Sequence, residues 1–396
     1  MNAMLKTKPV SRPDGSPLRV LVFGSQGVGM TPPIMAGLRE EFEVACAPLF
    51  RMTKTLHFVL AMRAFRLQRE AWFRRWMHFR EKTAFSFNYF AKIRRNYLAE
   101  RPGTYDFIVQ MGAMASLGEV PKRPLFIITD STRALSSRNT VDTVSAFANE
   151  REKREWLALE GEFYRCATRI FVGSEFVRQS LVEDYNVPVE RVIKTGFGAG
   201  TGYGAVLDKD FDGRSILYIG KGDFEKKGGH VLLAAFKIVR AAIPDVTLDI
   251  VGQDRLPETL DGVTNHGFVR DRPFLVELMR RAHVFTLPSL VDRNPITVLE
   301  AMSAGTPCVT SDYGAMPELL GDAGYAVRRD DPEALAEALI KVLKDRELAM
   351  TLGQRGRRRF EEHYNWEVIW PRMCAEMYIA LGETFPGGVA PSWGPA

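Results

Sequence analysis

Short runs of Val, Ile, Leu and Phe alternate with longer stretches whose apolar positions recur every three to four residues, from one end of the chain to the other. In the first half the runs at 18–24, 42–48, 105–112, 124–130, 167–174 and 191–198 read as strands. In the second half the corresponding runs are 215–220, 246–252, 263–269, 283–289, 306–312 and 324–329. Continuous apolar runs of this length, separated by helices, predict parallel strands covered on both faces. The expected fold class is therefore α/β, with two Rossmann-like doubly wound domains in series. The spacing predicts a flexible N-terminus over 1–17, a first domain over 18–203, a second over 204–370, and a C-terminal helix with a disordered tail over 371–396. A glycine-rich joint across 196–212 separates the two domains.

In open α/β sheets, ligands bind beyond the carboxyl ends of the strands, so chemistry is sought in the loops that follow strands, and with two such sheets in a cleft between their strand ends. After Gly228 and Gly229, the residues Val231, Leu232, Ala235, Phe236, Val239 and Ala242 form one apolar helical stripe. In Asn294-Pro295-Ile296-Thr297, asparagine suits the N-cap and proline the first helical position. The free N–H groups of such a helix start suit an anion.

Composition narrows the class. The chain has 396 residues, 46% apolar and 26% charged, as expected of globular domains rather than disordered or collagen-like chains. No run of 18 apolar residues exists, and the first twenty residues lack an apolar signal stretch, so cytoplasmic residence is the expectation. Four cysteines without CxxC or zinc spacing read as reduced, buried thiols. Asp208-Lys209-Asp210-Phe211-Asp212-Gly213 imitates a calcium loop, but its twelfth position is Ile219 rather than Glu, and no metal is expected.

The formal charge of +5 is unevenly spread. Residues 51–100 hold twelve Lys/Arg against three acids, together with eleven of the 42 aromatics, on a helical pattern over 55–98. One reading is a core face with a solvated face. Another is adsorption to anionic lipid headgroups, with arginines at the surface and aromatics at the interface. Nucleic acid is the rival ligand of such a segment, ranked below because no recognised module accompanies it.

Three loops carry candidate chemistry. Gly24-Ser25-Gln26-Gly27-Val28-Gly29 follows the first strand and lets backbone approach a phosphate or sugar, although a structural tight turn reads equally well. Gly220-Lys221-Gly222-Asp223-Phe224-Glu225-Lys226-Lys227-Gly228-Gly229 sets three lysines among glycines between a strand and a helix, a context suited to a diphosphate. In the third, Asp292 lies in a loop and Glu300 two helical turns later among Val298, Leu299, Ala301 and Met302, a poor place for an idle acid.

These residues resemble the second domain of the retaining, nucleotide-sugar-dependent glycosyltransferases of family 4, the group 1 transferases, which have the GT-B fold of two facing Rossmann-like domains. The likeness runs from Ser215 to about Val327: Lys227-Gly228, Val251-Gly252, Gly267-Phe268-Val269, Pro288-Ser289, the acid-x7-acid element and Gly305-Thr306-Pro307 follow in the family's order. The first domain matches in architecture and in Phe171-Val172-Gly173-Ser174-Glu175. The resemblance implies that Lys227 and Lys221 hold the donor diphosphate, Glu300 binds ribose hydroxyls and Asp292 touches the donor sugar. It further implies that Val269 and Arg270 edge the base, that Ile296 and Thr297 offer N–H groups beside Asn294 and Pro295, and that Gly27, Val28 and Gly29 close over the diphosphate. Asp292 stands where the family has Glu, Lys221 where it has Arg, Pro295 where it has Gly, and Asp130 is the stand-in for a first-domain histidine.

The implied reaction is front-face displacement with retention, in which Lys221, Lys227 and the helix start stabilise the departing phosphate, and that phosphate accepts the acceptor's proton. No cofactor is implied beyond the nucleotide-diphosphate sugar donor. The expected acceptor is a glycan, a lipid-linked glycan or a small molecule, in cell-envelope polysaccharide or glycoconjugate synthesis, with the protein peripheral on the inner face of a membrane. The alternatives are another GT-B enzyme such as a nucleotide-sugar epimerase, or a non-enzymatic basic protein that binds membrane or nucleic acid.

Overall fold

The structure, a computed structural model, describes residues 16–24, 30–113, 115–117, 123–138, 147–199, 209 and 211–382. Expectations placed on 1–15, on Gly27, Val28 and Gly29, on most of the glycine-rich joint and on the tail from 383 lie outside the described residues. The chain divides into two compact units, Met1–Thr195 with Trp370–Ala396, and Gly196–Ile369.

The first unit is built on β1 (Arg19–Phe23), β2 (Glu43–Cys46), β3 (Phe107–Met111), β4 (Leu125–Thr129), β5 (Arg169–Val172) and β6 (Val192–Lys194). They form one parallel sheet in the order β2-β1-β3-β4-β5-β6, with Val20 opposite Phe107 and Ile127 opposite Ile170. The second unit has β7 (Ser215–Ile219), β8 (Thr247–Val251), β9 (Val263–Asn265), β10 (Val284–Leu287), β11 (Cys308–Ser311) and β12 (Gly324–Val327). Its parallel sheet runs β12-β11-β10-β7-β8-β9, with Leu217 opposite Phe285 and Asp249. Each predicted run contains one of these strands, because parallel central strands such as β4 and β10 bury every residue.

The edges are the exception. β2 was expected to be covered on both faces, but it borders its sheet and leaves Glu43, Ala45 and Cys46 exposed. Cys46 is therefore an exposed free thiol rather than a buried one, whereas Cys308 and Cys374 are buried and free.

Local chemistry starts the helices. Ser174 accepts from the Val177 N–H, Asn149 from Glu152 and Asp331 from Ala334, each satisfying an otherwise orphaned donor. Helix Gly229–Ala242 buries Val231, Leu232, Ala235, Phe236 and Val239, the predicted stripe, although Ala242 is exposed. In helix Trp366–Leu381, Tyr378 packs against Phe42 within the first unit.

Three helices occupy the basic aromatic stretch: Lys54–Ala64, Arg69–Glu81 and Ala84–Ala99. The last is anchored by a capping box between Thr83 and Ser86 and buries Phe87 edge-on against Trp156, 5.3 Å between ring centres. The other two depart from the expectation of a core face. Lys54–Ala64 buries Leu60 and Ala64, and Arg69–Glu81 buries none of its residues.

Candidate functional site

In the second sheet the strand order reverses between β7 and β10, so the loops after these strands leave a crevice at their carboxyl ends. Backbone bonds tie the two loops together: the Leu290 and Val291 N–H groups both donate to the Lys226 carbonyl, at 2.9 and 3.2 Å. Gly228 makes this approach possible. Its φ of +73° suits glycine, and a Cβ there would press directly on the Pro288 carbonyl.

Across that crevice the Lys227 Nζ donates to the Asp292 Oδ2 at 2.6 Å. The side chains are one quarter and about one eighth exposed (25% and 12%), enough to meet a ligand and little enough for the charges to feel each other strongly. The pair is held from below. Gly314, at φ +65°, leaves room for the Asp292 carbonyl, and the buried Tyr218 hydroxyl reaches the Lys227 carbonyl at 3.4 Å. Burial, followed by the negative charge of Asp292, pushes the Tyr218 phenol well above its ordinary range, so it stays neutral and serves as a donor.

Lys221 lies elsewhere in the same loop. Its exposed ammonium sits 5.2 Å from the centre of the Phe268 ring, and the Arg270 guanidinium lies 5.8 Å from the same ring. Phe268, about half exposed, is thus an aromatic surface edged by two cations at the end of β9, beside Val269. Cations near an aromatic face are attracted by its quadrupole. The loop is backed by Gln253, whose side-chain amide donates to the Gly220 carbonyl.

Glu300 is buried on helix Ile296–Ser303, with Arg272 Nη2 3.6 Å from its Oε1. The helix begins one residue later than expected. Pro295, with ψ of 77°, is its cap residue and makes no side-chain cap bond, so Asn294 is not the N-cap and Pro295 is not the first helical residue. The Ile296 N–H already donates to the Asn294 carbonyl at 2.9 Å, which removes one of the donors expected to face an anion. Thr297 follows in the first turn.

Arg272, Phe268, Gln253, Tyr218 and Gly314 were not singled out in sequence. Phe268 stands inside the Gly267-Phe268-Val269 element, and Arg272 in the charged run Arg270-Asp271-Arg272. Gly314 and Tyr218 act through the backbone of distant loops, which no local spacing reveals.

In the first unit Asp130 is exposed at the end of β4. The backbone after it is fixed from behind by Glu160: this buried carboxylate accepts from Tyr185, Tyr164 and the Arg133 N–H, and the Tyr185 hydroxyl also accepts from the Ala134 N–H at 2.9 Å. Burial raises the Glu160 carboxyl to about 7 against the hydrogen bonds that favour its charged form. A cavity of about 220 Å³ opens at the ends of β1 and β2, lined by Gly24, Phe50, Phe90, Glu81 and Arg94. Arg94 donates to Gln110 at 3.2 Å and to the Ala115 carbonyl at 2.6 Å, and burial lowers its guanidinium to about 10. Among the described residues no cluster of His, Cys, Asp or Glu could hold a metal ion.

Comparison with known proteins follows the second sheet closely: residues 213–345 match the family described as "Glycosyl transferases group 1". The chain carries a group 1 glycosyl transferase domain. It is 38% identical over 168 residues to phosphatidyl-myo-inositol mannosyltransferase of Mycolicibacterium smegmatis, covering 40% of this chain and 43% of that protein. It is 32% identical over 184 residues to glycogen synthase of Mycobacterium tuberculosis, covering 43% and 44%. The chain thus spans less than half the length of these curated relatives. Both units share their fold with solved structures. Sucrose-phosphate synthase from Thermosynechococcus elongatus superposes with a TM-score of 0.66 at 19% identity, over 92% of this chain and 99% of that one. Alr3699/HepE of Anabaena, solved with UDP and glucose, superposes with a TM-score of 0.64 at 15% identity, over 91% and 100%. The two Rossmann-like domains of this chain have the GT-B fold.

Proposed function

We propose that the protein is a retaining glycosyltransferase that moves a sugar from a nucleotide-diphosphate donor to a glycan, a lipid-linked glycan or a small acceptor in cell-envelope polysaccharide or glycoconjugate synthesis. The observation that carries this reading is the Lys227–Asp292 pair at the strand-order reversal of a group 1 transferase domain. The mannosyltransferase relative is named for a phospholipid, phosphatidyl-myo-inositol, and a lipid acceptor for this chain fits a protein working peripherally on the cytoplasmic face of an anionic membrane.

The residues divide the work by their chemistry. The Lys227 ammonium, oriented by Asp292, meets the diphosphate as negative charge grows on the leaving oxygen. Lys221 leaves Phe268 to join it, and Glu300 accepts from the ribose hydroxyls with Arg272 holding its carboxylate in place. Asp292 keeps its second oxygen for a donor-sugar hydroxyl. Backbone at Val269 and Arg270 edges the base beside the Phe268 face, while Asn294, Pro295, Ile296 and Thr297 line the sugar side. The departing phosphate takes the acceptor's proton, and the bond to the acceptor forms on the face the nucleotide leaves, so configuration is retained.

Release of nucleoside diphosphate from a panel of nucleotide sugars, with product stereochemistry read by proton NMR, tests this. Turnover of one donor with retained anomeric configuration is expected. Inversion removes the mechanism, and neither turnover nor binding of any donor removes the function.

A further inference from the structure

Thirteen large apolar side chains are exposed among the described residues, and eight of them fall between 49 and 85: Leu49, Phe58, Val59, Met62, Phe65, Leu67, Phe73 and Phe85. Chance would scatter them, and single exposed apolar residues mean nothing, but a contiguous group does. On helix Lys54–Ala64 and its cap, Phe58, Val59, Met62 and Phe65 recur at three-and-four spacing, so they share one outward face. Leu67, in the turn to the next helix, is 95% exposed. The two helices are braced as a pair: Trp72 Nε1 donates to the Ala61 carbonyl at 2.8 Å, and His57 packs edge-on to Trp76. Between them runs a groove of about 890 Å³ lined by Ala61, Trp72, Phe73 and Trp76 together with Arg69, Arg74 and the acid Glu70. Helix Arg69–Glu81 buries none of its residues against the first unit's core.

The charge around this face is predominantly positive, with Glu70 the one exposed acid of helix Arg69–Glu81. Arg63, Arg66, Arg69, Arg74 and Arg75 are all exposed, and among the described residues none pairs with a carboxylate. An apolar face tipped by Leu67 and edged by arginines and tryptophans is complementary in depth to a bilayer, which offers phosphates at its surface and acyl chains below.

We propose that the helical pair 54–81 is an interfacial anchor for an anionic phospholipid bilayer, in which Phe65, Leu67 and Phe73 enter the acyl boundary while Arg63, Arg66, Arg69 and Arg74 meet lipid phosphates. It rests on the peripheral-membrane part of the function proposed above and names the element responsible. No helix among the described residues is long and apolar enough to cross a membrane, so attachment here is interfacial.

The test is flotation of the full chain with phosphatidylcholine vesicles, with and without phosphatidylglycerol, alongside tryptophan fluorescence. The wild type is expected to float with the anionic vesicles only, with a blue shift from Trp72 and Trp76. The double variant Phe65→Ser, Leu67→Ser is expected to lose affinity about tenfold or more. Arg66→Glu with Arg69→Glu is expected to abolish the preference for anionic lipid. Circular dichroism and nucleotide-sugar turnover without lipid, unchanged in both variants, exclude misfolding. Equal flotation of wild type and variants overturns the anchor while leaving membrane association standing. No flotation of the wild type overturns both, whether the face instead pairs two copies in solution or binds single-stranded nucleic acid, and donor turnover then judges the transferase reading separately.

Discussion

The two units share an architecture, six parallel strands with helices around them, yet they treat charge in opposite ways. In the second, the cations near the strand ends are engaged: Lys227 with Asp292, Lys221 over an aromatic ring, and Arg272, at the start of a helix, with Glu300. In the first, a basic helical pair keeps Arg63, Arg66, Arg69, Arg74 and Arg75 exposed beside apolar side chains. A matched pair is preorganised for a small ligand that replaces or shares one partner. A predominantly basic surface whose exposed arginines are mostly unmatched suits an extended anionic partner, whose attraction falls with added salt. Electrostatics thus distinguishes the proposed binding crevice from the proposed docking face within one fold class.

That comparison can be broken at its weakest supports. The largest effect is expected at Gly228, whose left-handed backbone and closeness to Pro288 let the two second-unit loops meet. Gly228→Ala should destabilise the second unit by about 3 kcal/mol or more, read by chemical denaturation. A neutral result would mean that the loops are not packed as tightly as described.

Next is Glu160, the one fully buried acid behind the first-unit loop described above. Its carboxyl, raised from 4.5 to about 7, contributes stability that is present below pH 4.5 and lost as pH rises through 7. Glu160→Gln should therefore gain about 3 kcal/mol relative to wild type between pH 4.5 and pH 8. Parallel stability profiles would show that Glu160 ionises normally.

Smaller still is Lys221→Ala. An exposed lysine over an aromatic ring, recruited to a diphosphate only on binding, should weaken donor affinity by about 1 kcal/mol, several-fold in Kd by calorimetry. A loss of a hundredfold would place Lys221 on the diphosphate as firmly as Lys227.

Much of the fold was legible because buried parallel strands are written as continuous apolar runs, and β4 or β10 could hardly be read otherwise. The edge strand β2 was misjudged because exposure depends on sheet order, which local pattern does not carry. At the site, the lysine loop and the two acids stood out from their spacing. The supports did not: Gly314 yields space to Asp292 from a loop more than twenty residues further on, and Arg272 reaches Glu300 from another helix. The start of helix Ile296–Ser303 was misplaced by one residue because proline served as its cap. The helical pair 54–81 was visible as a charge excess, but only burial revealed which of its faces stays uncovered.

The central claim, that the Lys227–Asp292 crevice receives a nucleotide-diphosphate sugar, is tested most directly by calorimetric titration of wild type and Lys227→Ala with the donor that the wild type turns over. The account predicts saturable binding to the wild type, and a loss of turnover of about a hundredfold to a thousandfold in the variant with the fold intact. Equal affinity and equal turnover in the two proteins would contradict it.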